Sequence, residues 1–160
     1  MPSVLFVCTA NQFRSPVAAA CLREELELAG LGDRWTVESA GTWPPGNLVS
    51  PEIVRALKPL GLDLDKHTPR PVTDELLRRS DLILVMDSSQ KEALEVEFPP
   101  ARGRIFLLGE IVDGVPYGIP DPVRVGPRVY AAAAHELREL VRRGMPAIRA
   151  KAEGIRRSVD

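Results

Sequence analysis

The stretch Ser3-Val4-Leu5-Phe6-Val7-Cys8-Thr9-Ala10-Asn11-Gln12-Phe13-Arg14-Ser15-Pro16 decides how this chain is read. The run Ser3–Val7 has the continuous apolar character of a strand buried on both faces. It leads into Cys8, and an arginine follows six positions later. Ser15 suits a helix N-cap and Pro16 the first helical position. The reactive form of cysteine is the thiolate, which helix N-termini and nearby cations stabilise. Unpaired N–H groups where a loop enters a helix collect anions for the same electrostatic reason. Arg14 adds a planar fork that can hold two phosphate oxygens at once. The layout places a soft nucleophile beside a seat for a dianion. A plainer reading makes Cys8 an inert buried thiol and leaves Ser15–Pro16 only a helix start. The position of the string between strand and helix favours the anion loop.

Outward from this stretch, strands and helices alternate. Ser15–Ala29 reads as a helix closed by Gly30, Trp35–Ser39 as a second strand, and Pro51–Leu60 as a helix ending before Gly61. Thr73 is placed to cap a short helix over Asp74–Arg79, with acidic residues in its first turn. Asp81–Met86 is another buried strand, Ser88–Phe98 a helix, and Arg104–Leu108 the fourth strand. A last helix is expected over Pro127–Arg143, broken by Gly144 and Pro146, with the basic tail Arg142–Arg157 a solvated end. Repeated strand–helix units predict an α/β fold of three layers: a four-stranded parallel sheet flanked by helices, with a phosphate-binding loop after the first strand. Ligands in such sheets lie at the carboxyl ends of the strands, where Cys8, Ser39–Thr42 and Met86–Asp87 converge.

Composition narrows the function. The 160 residues suffice for one domain with its own core, expected over 1–160. A formal net charge of -1 argues against a nucleic-acid binder. No apolar run approaches a membrane span and no secretory leader pattern is visible, so a cytoplasmic protein without a membrane partner is expected. With two cysteines, Cys8 and Cys21, a disulfide scaffold is excluded, and a reducing compartment suits an intact nucleophilic thiol. No cluster with metal-ligand spacing is present, so neither metal nor cofactor is expected.

The segment Cys8–Pro16 resembles the phosphate-binding loop of the low-molecular-weight protein tyrosine phosphatase family, usually Cys-x-Gly-Asn-x-Cys-Arg-Ser-Pro. The likeness continues in Ser39-Ala40-Gly41-Thr42, in the strand Asp81–Val85 with its Met86-Asp87, and in Asp121-Pro122, similar to the family's general-acid loop. The resemblance implies a phosphomonoester hydrolase of the tyrosine phosphatase type acting on phosphorylated protein or peptide through a phosphocysteine. Thr9, Ala10, Asn11, Gln12, Phe13 and Arg14 would hold the phosphate or another oxyanion, and Asp121 would be acid and then base. Ser15 would donate to the Cys8 thiolate, and Asn11, Ser39 and His67 would form a supporting hydrogen-bond network, with an ordinary loop histidine the other reading of His67. Trp43 reads either as a wall of the pocket or as a surface-to-core tryptophan. An asparagine at Asn11 also tolerates the left-handed conformation such loops use. His135 reads as a solvated helix residue.

Three departures from the family pattern stand out. Ala10 replaces the glycine, adding a Cβ where the backbone curls. Phe13 replaces a second cysteine, removing a thiol partner and adding bulk that would narrow the pocket. Val123 stands where many relatives carry an aromatic residue. Cys21 cannot serve as the missing thiol, since it lies about 9 Å along the helix from Ser15. Two alternatives remain: a protein arginine phosphatase, whose hallmark threonine falls at Gln12, and a phosphopeptide-binding module with weakened chemistry. Arsenate reduction would require cysteines that Asp81–Glu97 lacks. A papain-like pairing of Cys8 with His67 or His135 would leave the anion loop without purpose.

Overall fold

A computed structural model describes residues 1–160. Four parallel strands, β1 (Ser3–Cys8), β2 (Thr36–Gly41), β3 (Leu82–Val85) and β4 (Ile105–Leu107), form one sheet in the order β2-β1-β3-β4. The helices are α1 (Arg14–Leu28), α2 (Pro51–Leu57), α3 (Asp74–Arg78), α4 (Ser88–Glu97), α5 (Leu108–Asp113) and α6 (Tyr130–Val159). The side-chain alternation of the strands splits the interior in two. Val4, Phe6, Cys8, Leu82, Leu84 and Met86 belong to the larger core, with side chains of α1, α2 and α6. Leu5, Val7, Ile83 and Val85 belong to the smaller one, with Leu76 and Leu77 of α3 and Leu94 of α4. This is the expected three-layer arrangement.

The sheet also fixes where chemistry can sit. The chain leaves β1 towards β2 on one side and later returns to β3 on the other, so β1 marks the switch point of the strand order. Register places Cys8 opposite Gly41 and Val7 opposite Val85. The loops after β1, β2 and β3 therefore open onto one rim.

Several expectations are corrected. The last helix does not stop at Arg143. It runs through Gly144 and Pro146 to Val159. Gly144 is a contact point rather than a breaker: a Cβ there would lie 2.3 Å from a methyl of Val112 on α5. Pro146 is exposed and removes one backbone donor. The apolar stripe Leu137, Val141, Met145, Ile148, Ala152 continues past it and is buried, so tertiary packing outweighs the local penalty. Helix α1 begins at Arg14, with Phe13 at the N-cap position and no side-chain cap, so Ser15 does not serve as the cap and Pro16 is the third helical residue. Phe13 does not narrow the pocket. It is buried in the larger core with its ring centroid 5.5 Å from that of Tyr130, in tilted aromatic packing that ties α1 to α6. Helix α5, which directly follows β4, carried no periodicity strong enough to be anticipated from six residues.

Candidate active site

The turn from β1 into α1 is made by Thr9–Phe13. Asn11 has φ 56, the only positive value at a non-glycine residue. Ala10 thus keeps an ordinary negative φ, and its Cβ causes no backbone strain. The backbone N–H groups of Thr9 through Phe13 donate to no acceptor in the protein, whereas the carbonyls of Cys8 and Thr9 accept from Thr42 and Trp43 at 2.9 Å. A run of unspent amides with one left-handed residue, leading into a helix N-terminus, has the geometry of a nest that can take an anion.

The Cys8 sulfur lies 2.9 Å from Ser15 Oγ, both atoms buried. Asn11 Nδ2 donates to the same Oγ at 2.8 Å and to Ser39 Oγ at 3.0 Å. With one lone pair so engaged, the Ser15 hydroxyl hydrogen can turn to the sulfur or to the more distant Ala40 carbonyl at 3.4 Å. Asn11 is held on its remaining atoms too. Its Oδ1 accepts from the Arg70 amide at 3.0 Å, and its backbone carbonyl meets His67 Nε2 at 2.8 Å. Burial pushes the His67 imidazolium down, with Arg23 and Arg70 adding to the effect against the Asn11 carbonyl. A neutral ring with its proton on Nε2 follows, donating to that carbonyl.

Arg14 is buried except for its edge. Nη1 donates to Asp87 Oδ2 at 3.2 Å and to the Ile119 carbonyl at 3.0 Å. Nε and Nη2 make no hydrogen bond to the protein, and Nη2 lies 3.8 Å from Asp121 Oδ2. The guanidinium is therefore clamped at one nitrogen while its bidentate edge stays available for an oxyanion. Burial alone would raise the Asp87 carboxyl, but hydrogen bonds from Ser89, the Gln90 amide and Arg14 outweigh it and hold it below the usual carboxylate range. Asp121 caps the short turn Pro122–Arg124 through Oδ1, which accepts from the Val123 amide at 3.1 Å. Its other oxygen faces Arg14.

The structure joins Cys8, Ser15, Asn11, Ser39 and His67 in one hydrogen-bonded cluster, and sets Arg14 with Asp87 and Asp121 in a second group at the end of the same loop. Phe13 contributes only its backbone to the loop. Trp43 is 79% exposed, with Leu48 also exposed in the following loop, and Gln12 Nε2 reaches the Asn47 carbonyl at 3.4 Å. Cys21 is buried in α1, and burial pushes its thiol up to about 11, so it is a poor thiolate. Reading the sequence missed Arg70, the clamp of Arg14 by Asp87, and Gln90. The Asp87-Ser88-Ser89-Gln90 string does carry the signal of a capping box, whereas nothing local marks Arg70. It also missed why Gly41 is a glycine: a Cβ there would lie 2.5 Å from the Thr9 carbonyl oxygen.

The model of the low molecular weight phosphotyrosine protein phosphatase family matches residues 3–153. This chain belongs to that family. A protein-arginine-phosphatase of Bacillus subtilis (strain 168) is 34% identical over 140 residues, covering 87% of this chain and 91% of its own. A probable low molecular weight protein-tyrosine-phosphatase, EpsP of Ralstonia nicotianae, is 35% identical over 146 residues, covering 91% and 92%. Among solved structures, a YwlE arginine phosphatase mutant, with serine in place of an active site cysteine and that serine phosphorylated, aligns with TM-score 0.83 at 33% identity, covering 93% of this chain and 95% of the other. The low molecular weight phosphatase fold thus accounts for the sheet order and for the loop after β1.

Proposed function

We propose that this protein is a phosphoprotein phosphatase of the tyrosine phosphatase type, working through a phosphocysteine at Cys8. The observation that carries the reading is the Cys8–Ser15 contact of 2.9 Å at the root of a loop of unspent amides. The loop N–H groups and the Nε–Nη2 edge of Arg14 hold the non-bridging oxygens of a phosphate monoester. The Cys8 sulfur attacks phosphorus, the bond from phosphorus to the leaving oxygen breaks, and Asp121 gives that oxygen its proton. Water then attacks the phosphocysteine, Asp121 takes a proton from it, and the sulfur departs as a thiolate that the Ser15 hydroxyl stabilises. Asn11, Ser39 and His67 hold the loop in shape, and Trp43 stands at the rim where an aromatic leaving group would pass. No cofactor takes part in these steps. A thiol nucleophile of this kind fits a reducing cytoplasm, and no helix is long and apolar enough to cross a membrane.

Protein arginine phosphatase activity is the second reading, favoured by the similarity to the Bacillus subtilis enzyme. There the bond broken would be phosphorus to nitrogen, with the same nucleophile and anion seat. A pure phosphopeptide-binding role is disfavoured, because binding needs neither a thiol bonded to a hydroxyl nor a carboxyl beside the anion seat. Purified protein assayed side by side on phosphotyrosine, phosphoarginine and phosphoserine peptides separates these readings. Cys8→Ser is expected to abolish turnover while retaining oxyanion binding, because a hydroxyl is far less ionised at neutral pH. Arg14→Ala is expected to lose both. Substantial activity in Cys8→Ser would sink the phosphocysteine route.

A further inference from the structure

We propose that Gln90 is a positioning residue whose side chain locks the first residue of the anion loop to the backbone of Asp87, the residue clamping Arg14, an inference that rests on the phosphatase reading above. Gln90 is 1% exposed and lies in the first turn of α4. Its Oε1 accepts from the backbone amides of Met86 at 2.8 Å and Asp87 at 3.1 Å, and its backbone N–H donates to Asp87 Oδ1 at 3.2 Å. These contacts complete a capping box, and a glutamate would complete it equally well. The other end of the side chain is not explained by the cap. Nε2 donates to Thr9 Oγ1 at 3.1 Å, across 81 residues of sequence. Thr9 directly follows Cys8, and Asp87 Oδ2 accepts from Arg14 Nη1. One buried amide therefore touches both halves of the oxyanion seat: the loop that offers its N–H groups and the residue that orients the guanidinium.

The amide chemistry suits this position in two ways. It donates at one end and accepts at the other, which a carboxylate cannot do when ionised. It is also neutral, so it places no negative charge behind a loop that must hold a dianion. Because the side chain is buried with all three contacts made, it has few alternative rotamers, and Thr9 and Asp87 are held in fixed relation.

The test is a double-mutant cycle on oxyanion affinity, measured by calorimetric titration with tungstate so that turnover is not required. Gln90→Met and Thr9→Val are each expected to weaken tungstate binding by about tenfold, and the double variant by little more than either, because both remove the same contact. The kcat/KM of each active variant should fall in parallel. Should Gln90→Met fail to fold, Thr9→Ser against Thr9→Val reads the same contact from the other side: Thr9→Ser keeps the hydroxyl that Gln90 Nε2 meets and is expected to retain tungstate affinity, whereas Thr9→Val loses it. Losses that multiply in the double variant, or an affinity unchanged in Thr9→Val or in the folded Gln90 variant, would overturn the proposal and leave Gln90 a helix cap. A parent chain without phosphatase turnover would sink the functional reading instead, and that outcome is read separately from the titration.

Discussion

Asp121 Oδ2 stands 3.8 Å from Arg14 Nη2, although the two residues sit on a late loop and the first helix. The loop is drawn in by its backbone: the Ile119 amide donates to the Met86 carbonyl at 2.7 Å, and the Ile119 carbonyl accepts from Arg14. The carboxyl is thus held beside the free edge of Arg14, on a residue stiffened by Pro122, which is where the proposed mechanism needs its acid.

Asp121→Asn is therefore expected to slow substrates in proportion to the basicity of their leaving group. Phosphotyrosine peptides should lose about 10²–10⁴-fold in kcat/KM and activated aryl phosphates distinctly less, since a good leaving group departs without a proton. Vanadate inhibition should persist, because the loop amides and Arg14 are intact. A small and equal loss on all substrates would make Asp121 a turn residue, with Asp87 the next candidate for the acid.

His67 gives a pH signature. Its folded value is depressed below the ordinary 6.5, mainly by burial, so the unfolded chain binds the proton more readily. Its stabilising contribution is full above about pH 6.5 and declines as pH falls towards the depressed value. Thermal melts between pH 8 and pH 5 should show a loss of stability on the acid side that is shallower in His67→Gln. Parallel curves for the two proteins would refute the neutral, half-buried histidine.

Gly41→Ala tests the packing of β2 against the anion loop. The new Cβ would meet the Thr9 carbonyl at 2.5 Å and the Asn11 Cβ at 3.1 Å. Backbone atoms cannot swing aside, so the loop must shift, at a cost of about 1–3 kcal/mol in stability. Phosphate affinity should fall with it, measured by titration on the folded variant. Wild-type affinity would show that the loop tolerates the shift.

Pro146→Ala tests the unbroken α6. An interior proline costs a helix ~3 kcal/mol, part of which it returns by stiffening the unfolded chain. The substitution should stabilise the protein by about 1–2 kcal/mol in denaturant melts, with turnover unchanged. A destabilised variant would mean that the chain is not helical at that point.

Local chemistry made much of this protein legible in its sequence. Buried apolar runs marked β1 and β3, Thr73 marked the start of α3, and Cys8–Pro16 marked the turn from β1 into α1, because strand burial and helix starts depend on residues close in sequence. Local rules failed where distant packing decided the outcome. Gly144 and Pro146 signal a helix end, yet α6 continues because its apolar stripe is buried and Gly144 makes room for Val112. Ser15 resembles a cap, yet its hydroxyl is taken by Cys8 and Asn11. Phe13 resembles a pocket residue, yet it turns into the core against Tyr130. The clamp of Arg14 by Asp87 and Ile119, the hold of Arg70 and His67 on Asn11, and the reach of Gln90 to Thr9 join residues from separate strand–helix units. Only the parallel sheet, which aligns the ends of β1, β2 and β3 on one rim, brings such donors and acceptors within hydrogen-bonding distance.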